Sequence, residues 1–194
     1  RGHKSHPGGE EKYQFHYGSE QFMDKNDRHI SDELFMKLHS LLMQTEAPEK
    51  YPVVQNHHYY MIAEDREASP EELDAMAKNP NVRGSVKTRI AKNPATSLET
   101  LEYLSRMKNQ FVRRAVQLNP TIDMGLTIEL FVNNPTDSLI HQRGINDIYG
   151  FVGDGRLSDE QANQIIDNVK KARLEQRGDS PVLFEHKFKI RIIR

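Results

Sequence analysis

Apolar positions along most of the chain fall into short helical stripes punctuated by Pro, Gly and Asn. In "HISDELFMKLHSLLMQ", Leu34, Phe35, Leu38, Leu41 and Leu42 follow an i, i+4, i+7, i+8 spacing, and Ser31 or Asp32 stands where an N-cap belongs. That spacing puts them on one side of a 3.6-residue coil and predicts an amphipathic helix. Beyond Pro48 and Pro52, "VVQNHHYYMIAED" suits strand or helix by periodicity, and the beat of the following residues favours helix. "ASPEELDAMAKNP" carries Ser69 as cap, Pro70 at the first helical position and Glu72 at the third, a capping box with its preferred proline. "ATSLETLEYLSRM" repeats the device with Thr96 and Glu99, and Leu98, Leu101 and Leu104 form its expected buried stripe.

A second kind of helix alternates with this one. Val82, Val86 and Ile90 recur every four residues, as do Val112 and Val116, and each run ends at Asn-Pro: Asn93-Pro94 and Asn119-Pro120. Proline has no amide hydrogen and pushes the residue before it out of helical geometry, so Asn-Pro is a stop signal. A third, weaker round places Leu126, Leu130 and Phe131 on the Leu-rich helix, with Ile140 and Arg143 standing for the Val-Arg helix. Copies recur at roughly 25–30 residues, a solenoid-like period, and helices this short bury their apolar faces only by stacking.

Val82-Arg83 leading to Ala91-Lys92-Asn93-Pro94, echoed by Val112-Arg113 leading to Asn119-Pro120, resembles the variant leucine-rich repeat, a relative of HEAT-like repeats. The resemblance spans residues 60–147. It implies an all-α fold, a right-handed α-superhelix of HEAT-like helical pairs with short extended terminal segments. Some members carry a cysteine-bound iron–sulfur cluster beside the repeats, and this chain, with no Cys, departs from them. Four segments follow: a polar flexible or partner-ordered arm over 1–30, a helical repeat domain over 31–150, a capping helix over 151–178, and a basic terminal strand over 179–194. The capping helix is marked by Ser158 and Gln161 at capping-box spacing, by Ile165, Ile166 and Val169 facing inward, and by Lys170, Lys171, Arg173 and Arg177 at its C-terminal end before Gly178. In the tail, Phe188, Ile190 and Ile192 alternate with Lys187, Lys189 and Arg191, the period of a strand.

Composition narrows the chemistry. The absence of cysteine removes disulfides, thiolate metal sites and cysteine nucleophiles. No apolar run approaches a membrane span and no signal-peptide pattern opens the chain, so a cytoplasmic protein is expected. The net charge of −1 conceals blocks, for residues 78–114 hold nine lysines and arginines against two glutamates while the segments on either side are acidic. With Val82 and Val112 turned inward, Arg83 and Arg113 are expected at equivalent outward positions, with Lys87 a turn beyond Arg83. Such a row of cations suits phosphates, and Arg83, Lys87, Arg89, Arg113 and Arg114 are its candidate contacts. The same arginines also serve a purely structural role, covering the stack with their stems or pairing with Glu99 and Glu102. Tyr103 and Phe111, the only rings in the block, are expected to serve the core.

Seven of the nine histidines lie at or before His58, without the spacing of a metal site, and are expected as solvated or core residues. "GDGRLSDEQ" lacks the ligands of a calcium loop, with Gln161 where a bidentate Glu is needed. No phosphate-cradling or nucleophile-elbow motif occurs. These patterns point to a non-enzymatic module without cofactor, metal or small-molecule substrate, partnered by another protein or by its own copies. Lys187, Lys189 and Arg191 are candidates for tail docking. Nucleic-acid binding along the basic face is the alternative.

Overall fold

A computed structural model describes residues 12–16, 21–45 and 50–176. It divides into two compact units, Arg1–Ile62 and Ala63–Arg194. The expected terminal strand with Lys187, Lys189 and Arg191, together with Arg177 and Gly178, lies outside the described residues.

In the first unit, strands β1 (Tyr13–His16) and β2 (Gln21–Asp24) pair antiparallel with Phe15 opposite Phe22. Part of the segment expected as an arm is therefore a hairpin, because alternating Tyr13, Phe15 and Phe22 supply one apolar face. Helix α1 (Asp32–Thr45) starts at Ser31, whose Oγ accepts from the Leu34 amide at 3.3 Å. Helix α2 (Pro52–Glu64) crosses the division, and the ambiguous "VVQNHHYYMIAED" is thus helical. Phe22, Phe35, Tyr51 and Val54 form the core, with the Phe22 and Phe35 rings edge to face at 5.7 Å. Leu41, expected inside, is exposed, and the buried place on α1 goes to His39.

The second unit alternates short helices: α3 (Pro70–Lys78), α4 (Gly84–Lys92), α5 (Leu98–Ser105), α6 (Gln110–Gln117), α7 (Met124–Asn133), α8 (Ser138–Gly153) and α9 (Asp159–Gln176). Helix α3 packs on α5, α4 on α6, and α6 on α8, so like neighbours like across the intervening element. Side-chain caps start them. Ser69, Ser97 and Asp123 each accept from an amide three residues on, at 3.0, 3.2 and 2.7 Å, and Asn109 and Asp137 cap α6 and α8. The cap of α5 is thus Ser97 rather than Thr96. Thr96 is buried and turns its hydroxyl to the Ile90 carbonyl at 2.6 Å, closing the end of α4 instead.

The two Asn-Pro turns do more than stop helices. The Asn93 amide nitrogen donates to the carbonyls of Ala63 at 3.0 Å and Asp65 at 2.7 Å, while its oxygen accepts from the Ala95 amide. Asn119 repeats the pattern one step along, donating to Ala91 at 2.8 Å and Asn93 at 2.9 Å and accepting from Thr121. Each buried asparagine therefore satisfies carbonyls left over at the preceding helix end. Two close approaches demand glycine. A Cβ on Gly84 would lie 2.7 Å from the Asn109 amide nitrogen, and one on Gly144 would lie 2.4 Å from the Phe131 ring. Ile128, Phe131, Ile148, Ala162, Ile166 and Val169 close the C-terminal end, where α9 begins with the reciprocal bonds of Ser158 and Gln161. The described chain is mostly helical with one small two-stranded sheet, and no described helix is long and apolar enough to cross a membrane.

Candidate functional site

The expected row of five cations divides once each is placed. Arg83 is the N-cap residue of α4, whereas Arg113 lies inside α6, so the two are not equivalent. The residue in the register of Arg113 is Lys87: each is the fourth residue of its helix, and His141 is the fourth of α8. Lys87 is 5% exposed rather than on an outer edge, and burial pushes its ammonium below the ordinary lysine range. The guanidinium of Arg113 donates through Nη1 to the Met107 carbonyl at 2.7 Å and the Lys108 carbonyl at 2.8 Å, closing the turn between α5 and α6. His141 stacks on Phe131 with centroids 5.5 Å apart. Burial, with the Arg173 and Lys170 charges behind it, lowers the pKa of His141.

Arg114 is held by Asp137, with Nε 3.0 Å from both carboxylate oxygens. Asp137 also caps α8 through the Leu139 and Ile140 amides, and its side chain is 6% exposed. Removing one partner of so buried a pair costs about 3–5 kcal/mol, so Arg114 is fixed to the fold. Arg89 faces Glu64 at 2.9 Å with both side chains half-exposed. Such a pair is worth about 1 kcal/mol or less and is readily exchanged. Of the five, only Arg83 and Arg89 are exposed residues, so the phosphate-tracking row shortens to two.

A groove within the basic block escapes the sequence reading. Two adjoining cavities, of about 470 and 560 Å³, share Arg106 and Met107 as a common wall. Lys78, Glu99, Glu102 and Tyr103 line one, and Lys108, Arg113, Glu129, Leu130, Asn133 and Asn134 line the other with Ser105. Tyr103 is 39% exposed here, and Phe111 is 61% exposed at the start of α6, so neither ring joins the core. Glu99, Glu102, Tyr103 and Arg106 sit at i, i+3, i+4 and i+7, the helical complement of the Leu101 and Leu104 stripe; that spacing was the available signal. Lys78 binds Asp74 at 2.8 Å and reaches Glu99 at 3.5 Å, and its hydrogen bond holds the Asp74 carboxyl below its ordinary range. Arg106 faces Glu129 at 3.5 Å.

A second cluster lies in the first unit. His39 and His58 stack with centroids 3.9 Å apart and planes 14° from parallel, His39 is 3.1 Å from Gln55 Oε1, and His57 meets the Phe35 ring edge to face at 4.5 Å. His58 Nδ1 is buried without a hydrogen-bond partner among the described residues. Burial, then the charges of His39 and His57, lowers the His58 pKa to about 4. No described group of three or more His, Asp or Glu residues is placed to hold a metal ion. Comparison with family models, with curated proteins and with solved structures finds no match to this chain.

Proposed function

We propose that the helical part of the chain is a non-enzymatic protein-binding or assembly module, built as a HEAT-like superhelix of paired helices that grips its partner along the α5 groove. The observation that carries this is the division of labour among the charged side chains. Lys87, Arg113 and Arg114, the centre of the basic block, are buried or held by the fold, while Glu102 and Lys108 in the groove carry no ion pair among the described residues. Fold-fixed charges set shape, and uncommitted ones are available to a partner. Support for the superhelical stacking comes from the matched duties of Asn93 and Asn119 and from the shared register of Lys87, Arg113 and His141.

The alternative, phosphate tracking along the basic face, retains Arg83 and Arg89 of its five contacts. The two readings separate on one experiment. The wild-type chain and the double variant Glu102→Lys/Arg106→Glu are used as bait in native-host extract treated with nuclease, and retained proteins are quantified by mass spectrometry. A protein held by the wild type and lost from the double variant is the expected result. Retention confined to nucleic acid, falling steeply with salt and abolished by Arg83→Ala/Arg89→Ala, overturns the proposal.

A further inference from the structure

The groove is electrically two-ended, and we propose that it takes an extended polypeptide segment carrying a lysine or arginine and, about three residues away, an aspartate or glutamate. This rests on the protein-binding reading and names the partner's chemistry. At one end Glu102 has no side-chain partner among the described residues. Beside it Glu99 is 82% exposed and only loosely approached by Lys78, whose closer partner is Asp74. Tyr103, 39% exposed, lines the same cavity as these carboxylates. Two carboxylates beside an aromatic face suit an ammonium or guanidinium, through charge-assisted hydrogen bonds and cation–π attraction.

The opposite end has the reverse character. Lys108 and the Asn133 amide carry no side-chain hydrogen bond or ion pair among the described residues, and they line the cavity beside Arg113, whose Nη1 is spent on its two carbonyls. Its one carboxylate, Glu129, is faced by Arg106 at 3.5 Å. Donors that converge in this way suit a carboxylate. Glu102 stands on α5 and Lys108 six residues on, in the turn that follows it, a separation within reach of about three residues of extended chain together with the lengths of its two charged side chains. Leu130 and Met107 supply the apolar floor over which the connecting backbone would run. A nucleic-acid strand fits poorly, because Glu99, Glu102 and Glu129 repel phosphates and Tyr103 is the one ring lining the groove.

The test is titration of the isotope-labelled full chain with acetylated, amidated Ser-Lys-Ala-Ala-Asp-Ser and its reverse-order counterpart, followed by amide resonances. Tyr103, Lys108 and Asn133 are expected to shift together with at least one order, and replacing either charged peptide residue by alanine weakens binding by about fivefold or more. Glu102→Lys, at an exposed-face position of α5, loses the lysine peptide and regains binding when the peptide lysine becomes glutamate. Absence of groove shifts at about 1 mM peptide, or equal binding of an all-lysine peptide, overturns the inference. Loss of the peptide effect while protein capture still depends on Glu102 and Arg106 sinks only the two-ended specificity. Loss of both sinks the binding module as well.

Discussion

The two units of the chain solve the same packing problem with different chemistry. The first packs Phe22, Phe35 and Tyr51 together and stacks Phe35 on His39 and His39 on His58, so imidazoles that burial keeps neutral lie against its core. The second packs Val86, Ile90, Leu101, Leu104, Val112 and Val116, all essentially inaccessible, and turns its buried amides and hydroxyls onto loose helix ends. Aliphatic side chains and amides bonded to backbone carbonyls take up no proton, whereas stacked imidazoles resist burial once they carry charge. Two imidazoles lowered by burial, His39 and His58, stand in the first unit against His141 alone in the second, so acid is expected to act more strongly on the first.

The largest expected effects test the second unit. Phe131 is fully buried, fills the space that Gly144 leaves open, and stacks on His141. Phe131→Ala is expected to cost about 3–5 kcal/mol, read by chemical denaturation of the second unit's helical signal. A loss below 1 kcal/mol would mean the closing cluster does not carry the C-terminal end. Asp137→Ala comes next at about 3 kcal/mol, since it strands Arg114 and uncaps α8 together. Asp137→Asn keeps a cap oxygen and should recover roughly 1 kcal/mol of that. Equal losses for both variants would assign the whole effect to the ion pair.

The way these elements were legible follows from what local sequence encodes. Caps and stripes are local, so Ser69, Pro70, Leu101, Leu104 and the Ser158–Gln161 box were readable, and the helices they mark are present. Register between separate helices is not local. The Val-Arg pair repeats as letters, but Val82-Arg83 precedes α4 while Val112-Arg113 lies inside α6, because seven residues before the stopping asparagine stand Val86-Lys87 in one copy and Val112-Arg113 in the other. Choosing Thr96 over Ser97 as a cap fails for a similar reason, since both hydroxyls suit a cap and tertiary packing took Thr96 for the Ile90 carbonyl. The histidine stack has no sequence signature: His39 and His58 come together only when α1 and α2 are both in place. The groove was half-visible, as the polar complement of the α5 stripe, but its second end depends on residues of α7 and the α5–α6 turn.

Asparagine replacement probes the matching of polar groups in the second unit. Asn119→Ala removes two donated bonds, leaving the Ala91 carbonyl without its side-chain donor and the Asn93 carbonyl with the Thr96 amide alone, and a loss of about 1–3 kcal/mol is expected by denaturation. Asn93→Ala should follow it, with the Ala63 carbonyl losing its side-chain donor and the Asp65 carbonyl keeping only the Ala68 amide. A large gap between the two would show that they do not perform the same duty.

Acid sharpens the comparison from the other side. The folded His58 holds its proton only near pH 4, against an ordinary 6.5, so the unfolded chain protonates first as pH falls. Its contribution is complete above about 6.5 and is lost on descent through 4; His39, also lowered by burial, adds in the same sense. Among the described residues the groups facing the stack are Phe35, Gln55, His57 and Tyr59, none of them a carboxylate that would offset the new charge. A loss of roughly 2 kcal/mol between pH 7 and pH 4 is expected for the first unit, read by tyrosine fluorescence, since the chain has no tryptophan. His58→Phe should flatten that slope. A slope that persists in the variant would place the acid sensitivity elsewhere.

The smallest effect has the opposite sign. Lys87 is almost wholly buried in α4, carries no ion pair or side-chain hydrogen bond among the described residues, and has its charge disfavoured by burial. Its stem packs as an apolar residue would, so the ammonium contributes a desolvation cost that nothing nearby offsets. Lys87→Met preserves the stem and removes the charge, and the second unit should gain about 1 kcal/mol at pH 7. Because the folded pKa lies below the free value, this gain is full at neutral pH and shrinks as the solution becomes alkaline enough to discharge lysine in the unfolded chain. The substitution should leave the groove peptide's affinity unchanged. If Lys87→Met instead destabilises the helices, or weakens binding of a polyanion, then this ammonium is reaching a partner and the shortened row of cations at Arg83 and Arg89 has a third member.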